Sequence, residues 1–230
     1  MTANPSYQIR ANRLQLLKAL MLDQLPGESA FLSHVSWAEY DQLCRFRDQE
    51  RKGVRLTFDS GDLEFMTVTF QHENFKSILA VLIEIACLVY RLPRKSAGNL
   101  TIRREDLEKG FEPDTSYYIR NVQRVTPVRQ LDFTVDPPPD LAIEVELTNN
   151  IAGKLHLYAE IGIPEVWRTN GESVTIEQLQ PSGNYQPVPT SGSLPGVTVE
   201  ELNRFFQRGR MTDETTLSVE WQEYLRSKSA

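Results

Sequence analysis

Only two cysteines and three histidines occur in the 230 residues. Cys44 and Cys87 lie far apart in apolar helical patterns, which excludes a disulfide framework or a cysteine zinc site and reads as two reduced core residues. His34, His72 and His156 are too scattered for a zinc cluster. No run of eighteen apolar residues is present, so no membrane-spanning helix is expected. The N-terminus lacks a secretory apolar core, because Arg10, Arg13 and Lys18 interrupt its apolar positions, and the expected location is the cytoplasm. Positive charge is short as well: 25 Lys and Arg against 31 Asp and Glu leave a net −6, which argues against a non-specific nucleic-acid coat protein. A phosphate-cradling glycine loop, a Ser-His-Asp order, internal repeats and low-complexity segments are all missing.

What is present is an ordinary globular composition, 40% hydrophobic and 24% charged, in a length that fits one domain with extensions. The sign of charge reverses between Arg91 and Arg129, with nine Lys/Arg against five Asp/Glu; a solvated surface is the plainer reading of this run. Leu14, Leu17 and Met21 mark a short N-terminal helix ended by Pro26-Gly27, an arm docked on the body or on a partner. Ser36 and Glu39 have capping-box spacing and open a helix running to about Glu50. Val54–Phe58 and Leu63–Val68 alternate around Asp59-Ser-Gly-Asp62, a hairpin. From Gln71 to Tyr90 the period becomes helical and the helix is apolar nearly all round.

Leu100–Arg103 and Thr115–Ile119 read as strands joined by a charged segment. After Pro137-Pro-Pro139, Leu141, Ile143, Val145 and Leu147 alternate with Ala142, Glu144, Glu146 and Thr148. A helix from about Ile151 to Glu160 follows, with Gly162 and Pro164 as cap and breaker. Glu165–Arg168 and Val174–Leu179 form a strand pair around Asn170-Gly171, and two helices close the chain, Val197–Phe206 and Leu217–Leu225. The division expected is an arm at 1–30, a body at 31–195 and a helical extension at 196–230. The fold class is α/β or α+β, a sheet with helices on its faces.

The chemistry concentrates on the alternating strand. Two Pro-Asp pairs precede strands, at Asp114 and Asp140. Asp140 and Glu144 are roughly 13 Å apart along one strand, too far to share an ion, whereas Asp114 lies on another strand that can pair beside the central one. Asp114 and Glu144 are therefore the expected ligands of Mg²⁺ or Mn²⁺, a hard cation that uses one or two carboxylates and keeps waters, with the Val145 carbonyl as a third oxygen. Glu146 shares the face and either serves the site or meets solvent. Lys154 opens the next helix, where the dipole disfavours a base, so nearby carboxylates must stabilise it; it is placed to orient water or phosphate. Glu73 opens the buried helix and reads equally as a dipole acid. Tyr158, one turn after Lys154, reads as packing or as a partner of the lysine.

Three segments together resemble one family: Arg103-Arg-Glu-Asp-Leu-Glu-Lys-Gly-Phe-Glu-Pro-Asp114, Pro139-Asp-Leu-Ala-Ile-Glu-Val-Glu-Leu-Thr148, and Lys154 with Tyr158-Ala-Glu-Ile-Gly-Ile-Pro-Glu-Val-Trp167. They are similar to the Uma-two family of restriction-endonuclease-like bacterial proteins in the PD-(D/E)XK nuclease superfamily, over roughly His34 to Val188. The resemblance implies a restriction-endonuclease-like mixed sheet flanked by helices. It also implies that the superfamily's Asp falls on Asp114, its strand acid on Glu144 and the family's helix-borne acid on Glu73. A lysine two residues after the acid is replaced here by Glu146, and the family's helical lysine falls on Lys154. The expectation is a Mg²⁺-dependent endonuclease acting on DNA as a homodimer; a catalytically silent nucleic-acid-binding or interaction module with the same fold is the alternative, and a purely structural dimer a third.

Overall fold

The capping box at Ser36 closes in the computed structural model, which describes residues 5–50, 53–147 and 153–229. The Ser36 amide donates to Glu39 Oε2 at 2.8 Å and the Glu39 amide to Ser36 Oγ at 3.3 Å. In chain order the elements begin α1 (Pro5–Leu22), β1 (Ser29–Leu32), α2 (Trp37–Glu50), β2 (Val54–Asp59), β3 (Asp62–Thr67) and α3 (Phe70–Val89). Next come β4 (Lys95–Ser96), β5 (Ile102–Arg104), β6 (Lys109–Phe111), β7 (Thr115–Tyr118) and the single turn α4 (Val122–Val125). The chain ends with β8 (Leu141–Val145), α5 (Leu155–Ile161), β9 (Glu165–Thr169), β10 (Val174–Leu179), β11 (Tyr185–Pro187), α6 (Val199–Gly209) and α7 (Glu214–Ser229). Of the helix expected from about Ile151, residues 151–152 lie outside the described residues, as does Thr148 of the alternating stretch.

Packing divides the described residues into two units. The first comprises Met1–Thr69 and Ile102–Glu112 and holds an antiparallel sheet in the order β1-β3-β2-β6-β5. The β2–β3 hairpin turns through Ser60 and Gly61, both at positive φ, as a two-residue turn between twisted strands requires. Alternation along β2 and β3 buries Leu56, Phe58, Leu63 and Phe65 against Tyr40 and Leu43 of α2 and Leu17 and Met21 of α1. The N-terminal arm is thus docked within this unit. The charged segment after Arg103 is not a linker: Ile102 and Phe111, both fully buried, pair across a tight hairpin whose turn is the 3₁₀ stretch Glu105–Leu107. Two apolar anchors outweigh six charged neighbours because the charges find partners: Arg103 on Asp41, Arg104 on Asp106 at 2.6 Å, Lys109 on Asp59. The basic run from Arg91 to Arg129 is accordingly split between the two units.

The second unit, Phe70–Thr101 and Pro113–Ala230, holds a six-stranded sheet in the order β11-β10-β9-β8-β7-β4. Every pairing is antiparallel except β8 with β9, which run parallel with α5 as the crossover. Leu141, Ile143 and Val145 of β8 join Trp167 and Ile176 in one core with α3, α6 and α7. Trp221 of α7 seals it, donating its indole N–H to the Leu82 carbonyl of α3 at 2.9 Å. Cys87 lies in this core and Cys44 in that of the first unit; burial pushes both thiols up to about 11, as expected of unreactive core cysteines. The architecture is α+β, with the expected mixed sheet flanked by helices and a second, wholly antiparallel sheet beyond that expectation. Among the described residues no helix is long and apolar enough to cross a membrane. A functional division at 30 and 195 is carried only as a proposal.

Candidate active site

The sheet of the second unit separates the two Pro-Asp pairs. Asp140, 2% exposed, is consumed by structure: its carboxylate accepts the backbone N–H of Ile119, Arg120 and Asn121 at 2.7, 2.9 and 3.1 Å and the Asn121 side-chain amide at 2.8 Å. It staples the end of β7 to the start of β8. Asp114 immediately precedes β7, where Thr115 pairs with Ile143. Continuing that antiparallel register by one residue sets Asp114 directly opposite Glu144, and paired residues project from the same face. The Asp114 amide donates to the Ile143 carbonyl at 3.2 Å, and its Oδ2 accepts the Val145 N–H at 2.5 Å. Asp114 and Glu144 are 2% and 4% exposed.

All five residues of β8 are buried, Glu144 included, because the strand is interior and α5 folds back over it. Tyr158 of α5 donates its hydroxyl to Glu144 Oε2 at 2.6 Å, and Lys154 Nζ stands 3.3 Å from Oε1. Lys154 is the N-cap of α5, its carbonyl accepting the Leu157 and Tyr158 amides at 2.9 and 3.3 Å. Its own amine is buried, 6% exposed, and Glu144 is what offsets the helix dipole there. Tyr158 is therefore a partner of the carboxylate, not of the lysine. Tyr158→Phe takes the hydroxyl donor from a buried carboxylate and is expected to cost about 1–3 kcal/mol of stability, checked by denaturant unfolding.

Asp114, Glu144 and Lys154 come together; Glu73 stands one step away. It lies in the first turn of α3, 40% exposed, paired with Lys76. His72 is placed between the two acids, Nε2 3.2 Å from Asp114 Oδ2 and Nδ1 3.5 Å from Glu73 Oε1. Nothing in the spacing of the three histidines marked His72 for this position; α3 carries it there by packing its apolar face on β8.

Glu146 is partly exposed and paired. Arg168 of β9 donates to it from Nε at 3.2 Å and Nη2 at 2.6 Å, a bidentate pair, and Nη1 lies 3.8 Å from Glu177. In the parallel register Arg168 is the partner of Glu144. One row across the sheet thus reads Glu144, Arg168 and Thr175 on β8 to β10, with Asp114 just ahead of β7. Burial works against the guanidinium's charge, but the hydrogen bond it donates to Glu146 and the carboxylates of Glu146, Glu177 and Glu144 hold its pKa above the usual value.

A family model described as "Uma2: Putative restriction endonuclease" matches residues 37–213. No curated protein matches the chain. One solved structure, titled as a putative nuclease belonging to DUF820 from Anabaena variabilis ATCC 29413, is similar at 13% identity and a TM-score of 0.46, covering 66% of this chain and 90% of the other.

Proposed function

Because this chain belongs to the Uma2 family, described as putative restriction endonucleases, we propose that it is a metal-dependent endonuclease that hydrolyses phosphodiester bonds of DNA. The observation that carries this reading is the buried Glu144 carboxylate, in register beside Asp114 and 3.3 Å from Lys154 Nζ. The donor set suits a hard divalent cation: two buried carboxylates on adjacent strands, oxygen atoms without thiolates, the one or two carboxylates that Mg²⁺ takes. It offers no thiolate, since both cysteines lie in the two hydrophobic cores. Asp114 and Glu144 would hold Mg²⁺ or Mn²⁺, with the Val145 carbonyl and Glu73, the latter through water, as the further oxygens proposed. When bound, the cation supplies polarisation of the phosphate and activation of water.

The chain's own groups set the stage for that chemistry. Val145 N–H fixes the Asp114 carboxylate, His72 Nε2 lies 3.2 Å from it, and Tyr158 fixes Glu144. Lys154 is proposed to direct the attacking water and to offset charge developing at phosphorus, a preorganised cation in a site from which bulk water is largely excluded. Cutting both strands calls for two sites, so a homodimer belongs to the proposal, as does a cytoplasmic location. A second reading, a silent module that binds nucleic acid without cutting, is favoured by one observation: among the described residues no group of three or more His, Cys, Asp or Glu is gathered to hold an ion. Supercoiled plasmid incubated with Mg²⁺, Mn²⁺ or EDTA, beside Glu144→Ala, separates the two. Nicking that needs the ion and is lost in the variant supports the nuclease; DNA binding that persists in EDTA without any cutting supports the silent module.

A further inference from the structure

Resting on the nuclease reading above, we propose that Arg168 is a second phosphate-binding cation of this site, held ready by Glu146. Its place is set by the sheet: β9 runs parallel to β8 and puts Arg168 in register with Glu144, on the face that α5 covers. The guanidinium reaches towards the entry of that helix, where a Cβ built at Gly153 would lie 3.8 Å from Nη2. Lys154 is the adjoining residue, so the two cations lie on either side of Glu144.

They differ in what they can do. Lys154 is a buried point charge committed to Glu144. Arg168 and Glu146 are 27% and 26% exposed, so solvent and a solute reach the pair. A guanidinium fork accepts a carboxylate or a phosphodiester in the same bidentate geometry. Each carries one negative charge, so a backbone phosphate offers the fork the same countercharge, while the displaced Glu146 carboxylate, already partly exposed, turns to solvent. Among the described residues, Nε and Nη2 are hydrogen-bonded to Glu146, while Nη1 is 3.8 Å from Glu177, beyond hydrogen-bonding distance. Glu146, standing where a lysine was expected, is then a placeholder: it keeps the fork extended and is exchanged when DNA arrives. Lys154 serves the reacting phosphate and Arg168 a neighbouring one.

The test is binding of labelled duplex DNA to the full chain in EDTA, from about 50 to 200 mM salt, where affinity reports phosphate contacts. Arg168→Gln is expected to bind about tenfold more weakly, the loss of one charge-assisted bond, with a log–log salt slope shallower by about 0.9. Glu146→Gln is expected to bind more tightly, since the competitor for the fork is gone. In the Arg168→Gln background the Glu146 substitution should have no further effect; a fully additive gain would mean general electrostatics and overturn the proposal. An ion pair that only supports the fold would lower affinity in both single variants, in step with their melting temperatures, and would also overturn it. Failure of the wild type itself to bind DNA removes the nuclease reading and this inference with it. Binding by the wild type, unchanged in all three variants, removes this inference alone.

Discussion

Glu144→Gln is expected to abolish ion-dependent nicking, a loss of at least about 10²–10³-fold, and to cost stability as well. The amide is nearly isosteric and can still accept the Tyr158 hydroxyl, so packing is kept. What disappears is the charge opposite Lys154, an amine only 6% exposed. A buried ion pair broken on one side typically costs about 3–5 kcal/mol, mostly the uncompensated charge. Lys154→Met added to Glu144→Gln removes that charge and should return most of the stability, measured by denaturant unfolding, while cutting stays lost. Rescue of the fold without rescue of activity separates chemistry from scaffolding. Glu144→Gln cutting within tenfold of the wild type would remove the carboxylate from the mechanism altogether.

The opposite pattern is expected at Asp140. Asp140→Ala leaves three backbone N–H groups and the Asn121 amide without their acceptor at a site that is 2% exposed. At about 1–3 kcal/mol for each buried donor left unmade, and with water relieving some of them, a loss of at least about 3 kcal/mol is expected. For a chain of this size that is a fall of about 6–12 °C in melting temperature. Asp140→Asn keeps one acceptor oxygen and should lose less. Cleavage measured well below the new midpoint should remain within about threefold of the wild type, because Asp140 touches neither Glu144 nor Lys154 by any bond described. A melting temperature unchanged in Asp140→Ala would show that the three amides find other acceptors.

The two aspartates illustrate what a chain tells about itself. Both follow proline, and distance along a strand alone separates them: residues four apart on one strand cannot converge, residues on neighbouring strands can. Glu144 and Lys154 were also legible, one from the alternation of Leu141 to Leu147 and the other from its awkward place at a helix start. The turn at Ser60-Gly61, the capping box at Ser36 and the cap at Gly162, with φ near 83°, follow from local stereochemistry and emerge where the sequence puts them.

Harder to read were features made by long-range pairing. The hairpin of β5 and β6 hides beneath charges whose partners, Asp41 and Asp59, are about fifty or more residues away in the chain. Tyr158 reads as a helical neighbour of Lys154 until the crossover lays α5 over β8 and delivers its hydroxyl to Glu144. His72 acquires a role only because α3 begins beside Asp114.

Periodicity, caps and turns are properties of a few adjacent residues, and so the sequence by itself determined the long helices and the hairpins at Ser60-Gly61 and Asn170-Gly171. That both faces of β8 are buried, that Glu146 meets Arg168, and that two acids thirty residues apart lie opposite each other were decided only by tertiary structure. Those outcomes depend on which strand pairs with which and in what register, and no local preference encodes that choice.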